Sequence, residues 1–128
     1  MDQDVLQLPV WAVVGATDNP QKFGCKIYKF MKAAGYEVFP VNPGVKTLDG
    51  APCYASLAEL PKKPDAIDVV VPPRVGEQVL RDAAKAGIRH VWLQPGAESE
   101  ALIALGEQLG LKVIHHDCIM TAIHSRKG

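Results

Sequence analysis

The sequence has no excess of charge of either sign, and this absence excludes several classes of partner. Lysine and arginine together number 14, aspartate and glutamate together number 14, and the formal net charge at pH 7 is zero. Nucleic-acid-binding domains usually carry a basic excess, and solvating tails carry a run of acidic residues. We therefore predict a protein that binds no nucleic acid.

Cysteine and long apolar runs are both scarce, and together they indicate where the protein works. The three cysteines, Cys25, Cys53 and Cys118, are an odd number at wide spacing, which is neither a disulfide framework nor a zinc pattern. No apolar stretch approaches the roughly 18 residues of a membrane span. Asp2 and Asp4 stand where a signal peptide would carry positive charge. These features predict a soluble cytoplasmic protein that makes no membrane contact.

Motifs of the common catalytic and metal sites are also missing. The sequence contains no G-x-x-x-x-G-K-[ST], so ATP bound by a P-loop is disfavoured. No Ser/His/Asp arrangement and no H-E-x-x-H pattern indicates a catalytic triad or a zinc site. We therefore assign no catalytic residue and no metal ligand, and whether the protein is an enzyme stays open.

What the sequence does contain is a repeated junction of helix, glycine and strand. Gly35, Gly87 and Gly110 each stand between a helical pattern and a β-branched or apolar run. Repeated junctions of this kind argue for βαβ units with parallel strands. We predict one domain over residues 1–128, an α/β fold with a doubly wound, mostly parallel Rossmann-like sheet and helices on both faces.

The predicted elements follow from hydrophobic periodicity. Strands are expected at Val10–Val14, Tyr36–Val41, Ala66–Val71, Val91–Leu93 and Leu111–Ile114, with a very short one near Pro52-Cys53. Helices are expected from about Gly24 to Ala34, after Pro73, around Leu102 to Leu109, and from Asp117-Cys118 onward. A further short helix is predicted after Ser56, because Ser56 and Glu59 have the spacing of a capping box.

The turn after the first strand has the features of a phosphate-binding loop. Gly15 allows a phosphate to approach the main chain, Thr17 supplies a hydroxyl donor, and a helix begins beyond it. Backbone amides at a helix N-terminus, together with the macrodipole, favour an anion. An ordinary βα turn with nothing bound is the alternative, because Gly15-Ala16-Thr17 is shorter than a complete G-x-G-x-x-G.

The end of the second strand narrows the choice of ligand. NAD-binding proteins usually hold the ribose with an acidic residue at this point, and here the sequence is Val41-Asn42-Pro43 with Lys46 close behind. A cation without a carboxylate favours a phosphorylated ribose, as in NADP or coenzyme A. In a doubly wound sheet the ligand binds at the carboxyl ends of the strands, so we expect these loops to meet in one crevice.

The ordered set of strand-end motifs resembles the small stand-alone CoA-binding proteins. More distantly it resembles the N-terminal CoA-binding domain of the succinyl-CoA synthetase alpha subunit. The similarity extends over roughly residues 10 to 124. The motifs that carry it are Val13–Thr17, the Gly35-Tyr36-x-Val38 junction, Val41-Asn42-Pro43, Ser56–Leu60, Asp68–Pro73, Val91–Gly96 and Asp117–Met120.

The resemblance implies a Rossmann-like fold with coenzyme A as its cofactor, and it implies roles for eleven residues. Gly15, Ala16, Thr17 and Lys22 would hold the diphosphate, and Asn42, Pro43 and Lys46 would lie beside the 3′-phosphorylated ribose. Val71, Pro72 and Pro73 would border the adenine, and Gln94 would line the pantetheine side. The chain departs from the family at His115-His116 and at Asp117, where members usually carry a basic residue before the cysteine.

The favoured function is a module that binds CoA or acyl-CoA without catalysing a reaction. One alternative is an NADP-dependent oxidoreductase, against which stands the lack of a recognisable substrate domain in the sequence. Another is the CoA-site subunit of an acyl-CoA ligase, which would act in trans with a ligase partner. The sequence does not indicate an oligomeric state.

Overall fold

Five parallel strands form the main sheet in the computed structural model, which describes residues 5–127. They are β1 (Val10–Val14), β2 (Glu37–Val41), β5 (Ala66–Val69), β6 (His90–Leu93) and β7 (Lys112–Ile114). Their spatial order is β2-β1-β5-β6-β7. Two further strands, β3 (Thr47–Leu48) and β4 (Ala51–Pro52), form a separate antiparallel pair.

Within residues 5–127, four helices cover the two faces of this sheet. They are α1 (Phe23–Ala33), α2 (Pro73–Lys85), α3 (Glu100–Gln108) and α4 (Ile119–Lys127). On one face α1 and α4 bury a cluster that includes Trp11 and Trp92, and on the other α2 and α3 bury a cluster that includes Ile67, Leu80 and Leu102. The predicted doubly wound, Rossmann-like α/β architecture is confirmed. None of the helices in the described part of the chain has the length and hydropathy needed to span a bilayer.

One local prediction differs from the structure, at Ser56, whereas the very short strand predicted near Pro52-Cys53 is confirmed as β4. Leu57–Glu59 form a single 3₁₀ turn, and the Ser56 side chain makes no capping hydrogen bond, so the predicted capping box is wrong. Leu60 is already extended (φ −65°, ψ 143°), so the helix ends after a single 3₁₀ turn. Near the predicted strand at Pro52-Cys53, β4 pairs only with β3, and Tyr54 alone bridges to β2.

The Tyr54 bridge extends the main sheet by one residue beyond β2. The Tyr54 amide donates to the Pro40 carbonyl at 3.0 Å, and its carbonyl accepts from the Asn42 amide at 2.8 Å. The chain therefore moves outward from β1 through β2 to Tyr54, and then returns across β1 to form β5. This reversal between β1 and β5 is the switch point of the sheet, where doubly wound folds bind their ligands.

Candidate functional site

Two adjoining cavities open at the carboxyl edge of β1 and β5. A cavity of about 220 Å³ lies toward β2 and α2, and one of about 470 Å³ lies beside the N-terminus of α1. Gly15, Asn42 and Val71 line both cavities, so the two form one continuous crevice. The smaller cavity is bordered mainly by aliphatic side chains, among them Val14, Val75 and Val79. The larger one is bordered by Thr17 and Lys22 on one side and by Pro95 and Gly96 on the other.

Gly15 is at the centre of this crevice, and its backbone requires glycine. Its φ is +103°, a conformation that L side chains rarely adopt. A Cβ atom at this position would also lie 3.0 Å from Cγ1 of Val71. The Gly15 amide donates to the Val41 carbonyl at 2.9 Å, which fixes the turn against the end of β2. The turn is therefore fixed in position, and a ligand can approach its main chain closely because Gly15 has no side chain.

Helix α1 packs directly against this turn through Gly24. A Cβ atom on Gly24 would lie 2.1 Å from the Gly15 carbonyl oxygen, so no larger residue fits without moving the helix. In dinucleotide-binding folds a glycine with this function allows close packing of the helix on the strand. Gly24 was placed at the start of a helix by the sequence analysis, but its role in bringing α1 to the crevice was missed.

The segment between Gly15 and α1 is shaped by two side-chain turns. Thr17 Oγ1 accepts from the Asn19 amide at 3.3 Å, and Asn19 Oδ1 accepts from the Gln21 amide at 3.0 Å. Helix α1 then begins at Phe23, with no side-chain cap from Lys22 and no acidic residue in its first turn. The positive end of the helix therefore lies beside the larger cavity without a carboxylate of its own to neutralise it.

Asn42 joins the first and second strand-end loops. Its Nδ2 donates to the Ala16 carbonyl at 2.9 Å, and its Oδ1 accepts from the Gly44 amide at 2.9 Å. The side chain thus holds the two loops at a fixed separation. Each of its polar atoms still has capacity for a further hydrogen bond to a ligand.

The structure brings together seven of the eleven residues that the resemblance implied. The seven line at least one of the two cavities and are Gly15, Thr17, Lys22, Asn42, Pro43, Val71 and Pro72. The remaining four, Ala16, Lys46, Pro73 and Gln94, line neither. The binding roles of all eleven stay predictions.

The positions of these four residues have clear structural reasons. Ala16 is fully buried in the core, and Lys46 is an exposed side chain beyond the second loop. Pro73 is the first residue of α2 and borders a different cavity, of about 320 Å³, between α2 and α3. Gln94 is buried: its Oε1 accepts from the Ile119 amide at 2.9 Å, and its Nε2 lies 3.4 Å from Cys118 Sγ. Gln94 therefore caps helix α4.

Two exposed hydrophobic side chains border the crevice, and the sequence analysis assigned neither to it. Phe23 is 57 % exposed and lines the larger cavity, and Val75 is 44 % exposed and lines the smaller one. The helical periodicity places Phe23 on the same face as Ile27, so the pattern alone predicts a core residue. It is instead the first residue of α1 and lies at the mouth of the larger cavity.

Burial changes the ionisation of two groups near the carboxyl edge. Asp68 in β5 is fully buried and has no hydrogen-bond partner within the described residues, so desolvation, with a smaller contribution from Cys118, raises its pKa well above the ordinary value. Burial likewise raises the pKa of the Cys53 thiol, an effect that a hydrogen bond to Asn42 reduces and Asp18 reinforces. Neither residue lines the two cavities.

Comparison with known proteins identifies the family of this chain. The sequence model of a family described as "CoA binding domain" matches residues 9–124. An uncharacterized protein, YneT of Bacillus subtilis, is 32 % identical over 115 residues, which cover 87 % of this chain and 82 % of that protein. The alpha subunit of acetate–CoA ligase [ADP-forming] II from Pyrococcus furiosus is 27 % identical over 119 residues, 84 % of this chain and 26 % of that subunit.

Solved structures show the same relationship. A conserved hypothetical protein from Pyrococcus furiosus superposes with a TM-score of 0.84 at 45 % identity, covering 88 % of this chain and 97 % of that one. The dinucleotide-forming acetyl-coenzyme A synthetase 1 of Ca. Korarchaeum cryptofilum superposes with a TM-score of 0.73 at 28 % identity, covering 88 % of this chain and 27 % of that one. The chain thus spans about a quarter of the length of these ligase relatives, and most of the length of the small ones.

Proposed function

Because this chain belongs to the CoA-binding domain family, we propose that it binds coenzyme A, free or acylated, in the crevice at the carboxyl edge of β1 and β5. The observation that carries the proposal is the continuity of two unlike cavities across Gly15, Asn42 and Val71. One is apolar, and the other adjoins an uncapped helix N-terminus. Coenzyme A carries groups that match these cavities in the same order: an aromatic base, then a diphosphate, and then a long uncharged arm.

The smaller cavity fits the adenine. Its aliphatic border offers Val14, Val75 and Val79 to the faces of the base, and the exposed part of Val75 would be covered on binding. Asn42 and Pro43 border the same cavity, which puts the ribose beside the second strand-end loop. Lys46 follows within that loop, and its long side chain would reach a 3′-phosphate from solvent.

The larger cavity fits the diphosphate and the pantetheine arm. The phosphates would lie on Gly15 at the N-terminus of α1, where the helix dipole and the Lys22 ammonium both attract negative charge. The arm would then continue between Phe23 and the Pro95-Gly96 turn. Gly96 has a φ of +93° and no atom within 4 Å of where a Cβ would lie, so this side of the crevice is open.

The chain supplies binding and orientation in this proposal, and no catalytic step is assigned to it. Its similarity to ligase alpha subunits favours a second function, in which the bound CoA is presented in trans to a separate ligase chain. The competing proposal is that the same crevice binds NADP and that the protein is an NADP-dependent oxidoreductase. NADP shares the adenine, a phosphorylated ribose and the diphosphate, but it carries a nicotinamide riboside where CoA carries the longer, flexible pantetheine arm.

A thermal-shift series separates these ligands. A ligand that binds only the folded chain raises its unfolding midpoint according to its affinity and concentration. CoA and acetyl-CoA are expected to raise the midpoint more than NADP, NAD or ATP at equal concentration. A larger shift with NADP than with CoA would support the oxidoreductase, and no shift with CoA would refute the proposal. Affinity capture of a ligase chain from cell extract only in the presence of CoA is the further result expected for action in trans.

A further inference from the structure

A cluster of three metal-ligating side chains lies outside the crevice, where β7 ends. Its members are Glu98, in the loop between β6 and α3, and His115 and His116, in the loop between β7 and α4. One ligand atom from each residue can be chosen so that all three atoms lie within 4.8 Å of one another. None of the three residues lines the two cavities assigned to CoA.

The contacts within the cluster hold its ligand atoms together. The His116 amide donates to Glu98 Oε2 at 2.7 Å, and Glu98 Oε1 lies 3.6 Å from His116 Nε2. The two imidazole rings stand edge to face, with centroids 4.5 Å apart, and Nδ1 of His115 faces Nδ1 of His116 in direct contact. His116 has a φ of +63°, which turns its ring back toward Glu98 and His115.

We propose that Glu98, His115 and His116 form a site for a divalent transition-metal ion, with Zn²⁺ as the ion best suited to it. Zn²⁺ binds imidazole nitrogen at about 2.0–2.1 Å and carboxylate oxygen at about 2.0–2.2 Å, so two ligands of one ion are separated by at most about 4.2 Å. The chosen ligand atoms lie within 4.8 Å of one another, so a closer approach of about 0.6 Å would bring the widest pair into that range. Two imidazoles and one carboxylate are nitrogen and oxygen ligands that select transition metals over Mg²⁺ or Ca²⁺.

The exposure of the ligands defines the kind of site. The Glu98 side chain is only 18 % exposed and anchors the cluster to the protein, whereas His116 is 68 % exposed. Three protein ligands with one side open to solvent leave a coordination position for water or for an external ligand, which is the pattern of reactive rather than structural zinc sites. The site shares no residue with the crevice proposed for CoA.

Zinc titration of the whole chain with three ligand variants tests this site. The variants are Glu98→Gln, His115→Gln and His116→Asn, because Asn tolerates a positive φ and so preserves the loop. His124→Gln is the matched control, since His124 is an exposed histidine of α4 outside the cluster. The wild type is expected to bind one Zn²⁺ per chain, and each ligand variant to bind it at least about tenfold more weakly. The His124→Gln protein is expected to match the wild type.

Two further measurements keep the result interpretable. Circular dichroism and CoA binding establish that each variant is folded, so a loss of zinc affinity with both preserved supports the site. Co²⁺ in place of Zn²⁺ is expected to give no thiolate charge-transfer absorption, which excludes Cys53 and Cys118 as ligands. The proposal is overturned if all three variants bind Zn²⁺ as the wild type does, if His124→Gln weakens binding equally, or if Cys118→Ser abolishes it.

Discussion

Gly24 lies so close to Gly15 that a Cβ atom at residue 24 would stand 2.1 Å from the Gly15 carbonyl oxygen. This contact sets the separation between α1 and the end of β1, and it therefore sets the shape of the larger cavity. The same cavity receives the positive end of α1 and the Lys22 side chain. The proposed diphosphate position thus depends on a glycine that carries no functional group.

Replacing Gly24 with Ala tests this packing. Ala is normally the better helix residue by up to about 1 kcal/mol, but the methyl group here forces α1 away from Gly15, at a cost of about 1–3 kcal/mol. We expect a less stable protein with reduced CoA affinity, measured by urea unfolding and by calorimetry. Gly44→Ala is the matched control, because a Cβ there meets only Asn42 Oδ1, at 3.5 Å. Equal behaviour of the two variants would contradict the packing role.

Phe23→Ala tests whether the exposed ring is a binding surface. The ring is 57 % exposed in the described structure, so its removal is expected to change the free energy of unfolding by less than about 1 kcal/mol. If the pantetheine arm covers the ring, the substitution removes about 1–2 kcal/mol of apolar burial and lowers CoA affinity about tenfold. Lys29→Ala, an exposed position on the same helix outside the cavity, serves as the control. Unchanged CoA affinity in Phe23→Ala would remove Phe23 from the site.

The two lysines are expected to contact different phosphates. Wild-type protein should bind CoA about tenfold more tightly than 3′-dephospho-CoA, because the latter lacks one charge-assisted contact. Lys46→Gln should abolish the preference for CoA. Lys22→Gln should lower the affinity for both ligands and leave the preference unchanged. Calorimetric titration of both ligands into the three proteins gives the comparison. A preference that survives in Lys46→Gln would assign the 3′-phosphate to another residue.

The buried Asp68 predicts a stability that falls as the pH rises. Its folded pKa lies well above the ordinary value of 3.8, so between those two pKa values the folded chain binds a proton that the unfolded chain releases. The stabilisation that this group contributes is complete below about pH 4 and decreases as the pH rises. In that range the equilibrium constant of unfolding increases about tenfold per pH unit. Asp68→Asn should remove that slope, so its stability relative to wild type should increase as the pH rises above the ordinary pKa of an aspartate.

Urea unfolding at a series of pH values measures this slope. Asp18→Asn is the matched control, because it makes the same substitution at an exposed aspartate. It should leave the pH slope of the wild type intact. A difference between Asp68→Asn and wild type that does not change with pH would show that Asp68 is ionised in the folded chain.

Local sequence signals account for the architecture. Gly35, Gly87 and Gly110 have φ values of +102°, +82° and +80° at the three helix ends, as the repeated junction predicts. The strands were located by short β-branched runs, and their parallel arrangement by the repeated helix–glycine–strand junctions. Val70 and Val71 were included in a strand that ends at Val69, because hydrophobicity continues past the sheet edge to line the crevice.

The site was less predictable because its residues are defined by contacts between distant segments. Gly24 is distinguished from other helical glycines only by its distance from Gly15. The sequence did not show that the Gln94 side chain accepts a hydrogen bond from the Ile119 amide, 25 positions later, and its predicted place beside pantetheine stays a prediction. Glu98 meets His115 and His116 because β6 and β7 are parallel neighbours whose following loops emerge together.

The most direct test of the central claim is the amide NMR spectrum of the chain recorded during titration with CoA. If CoA binds at the switch point, the largest shift changes will fall on Gly15, Thr17, Gly24, Val71 and Gly96, which border the crevice. The cavity between α2 and α3 provides the contrast, with Arg81, Ala101 and Leu105 as its reporters. Saturable changes confined to the first group are predicted. Changes centred on the second group, or none at any CoA concentration, would contradict the account.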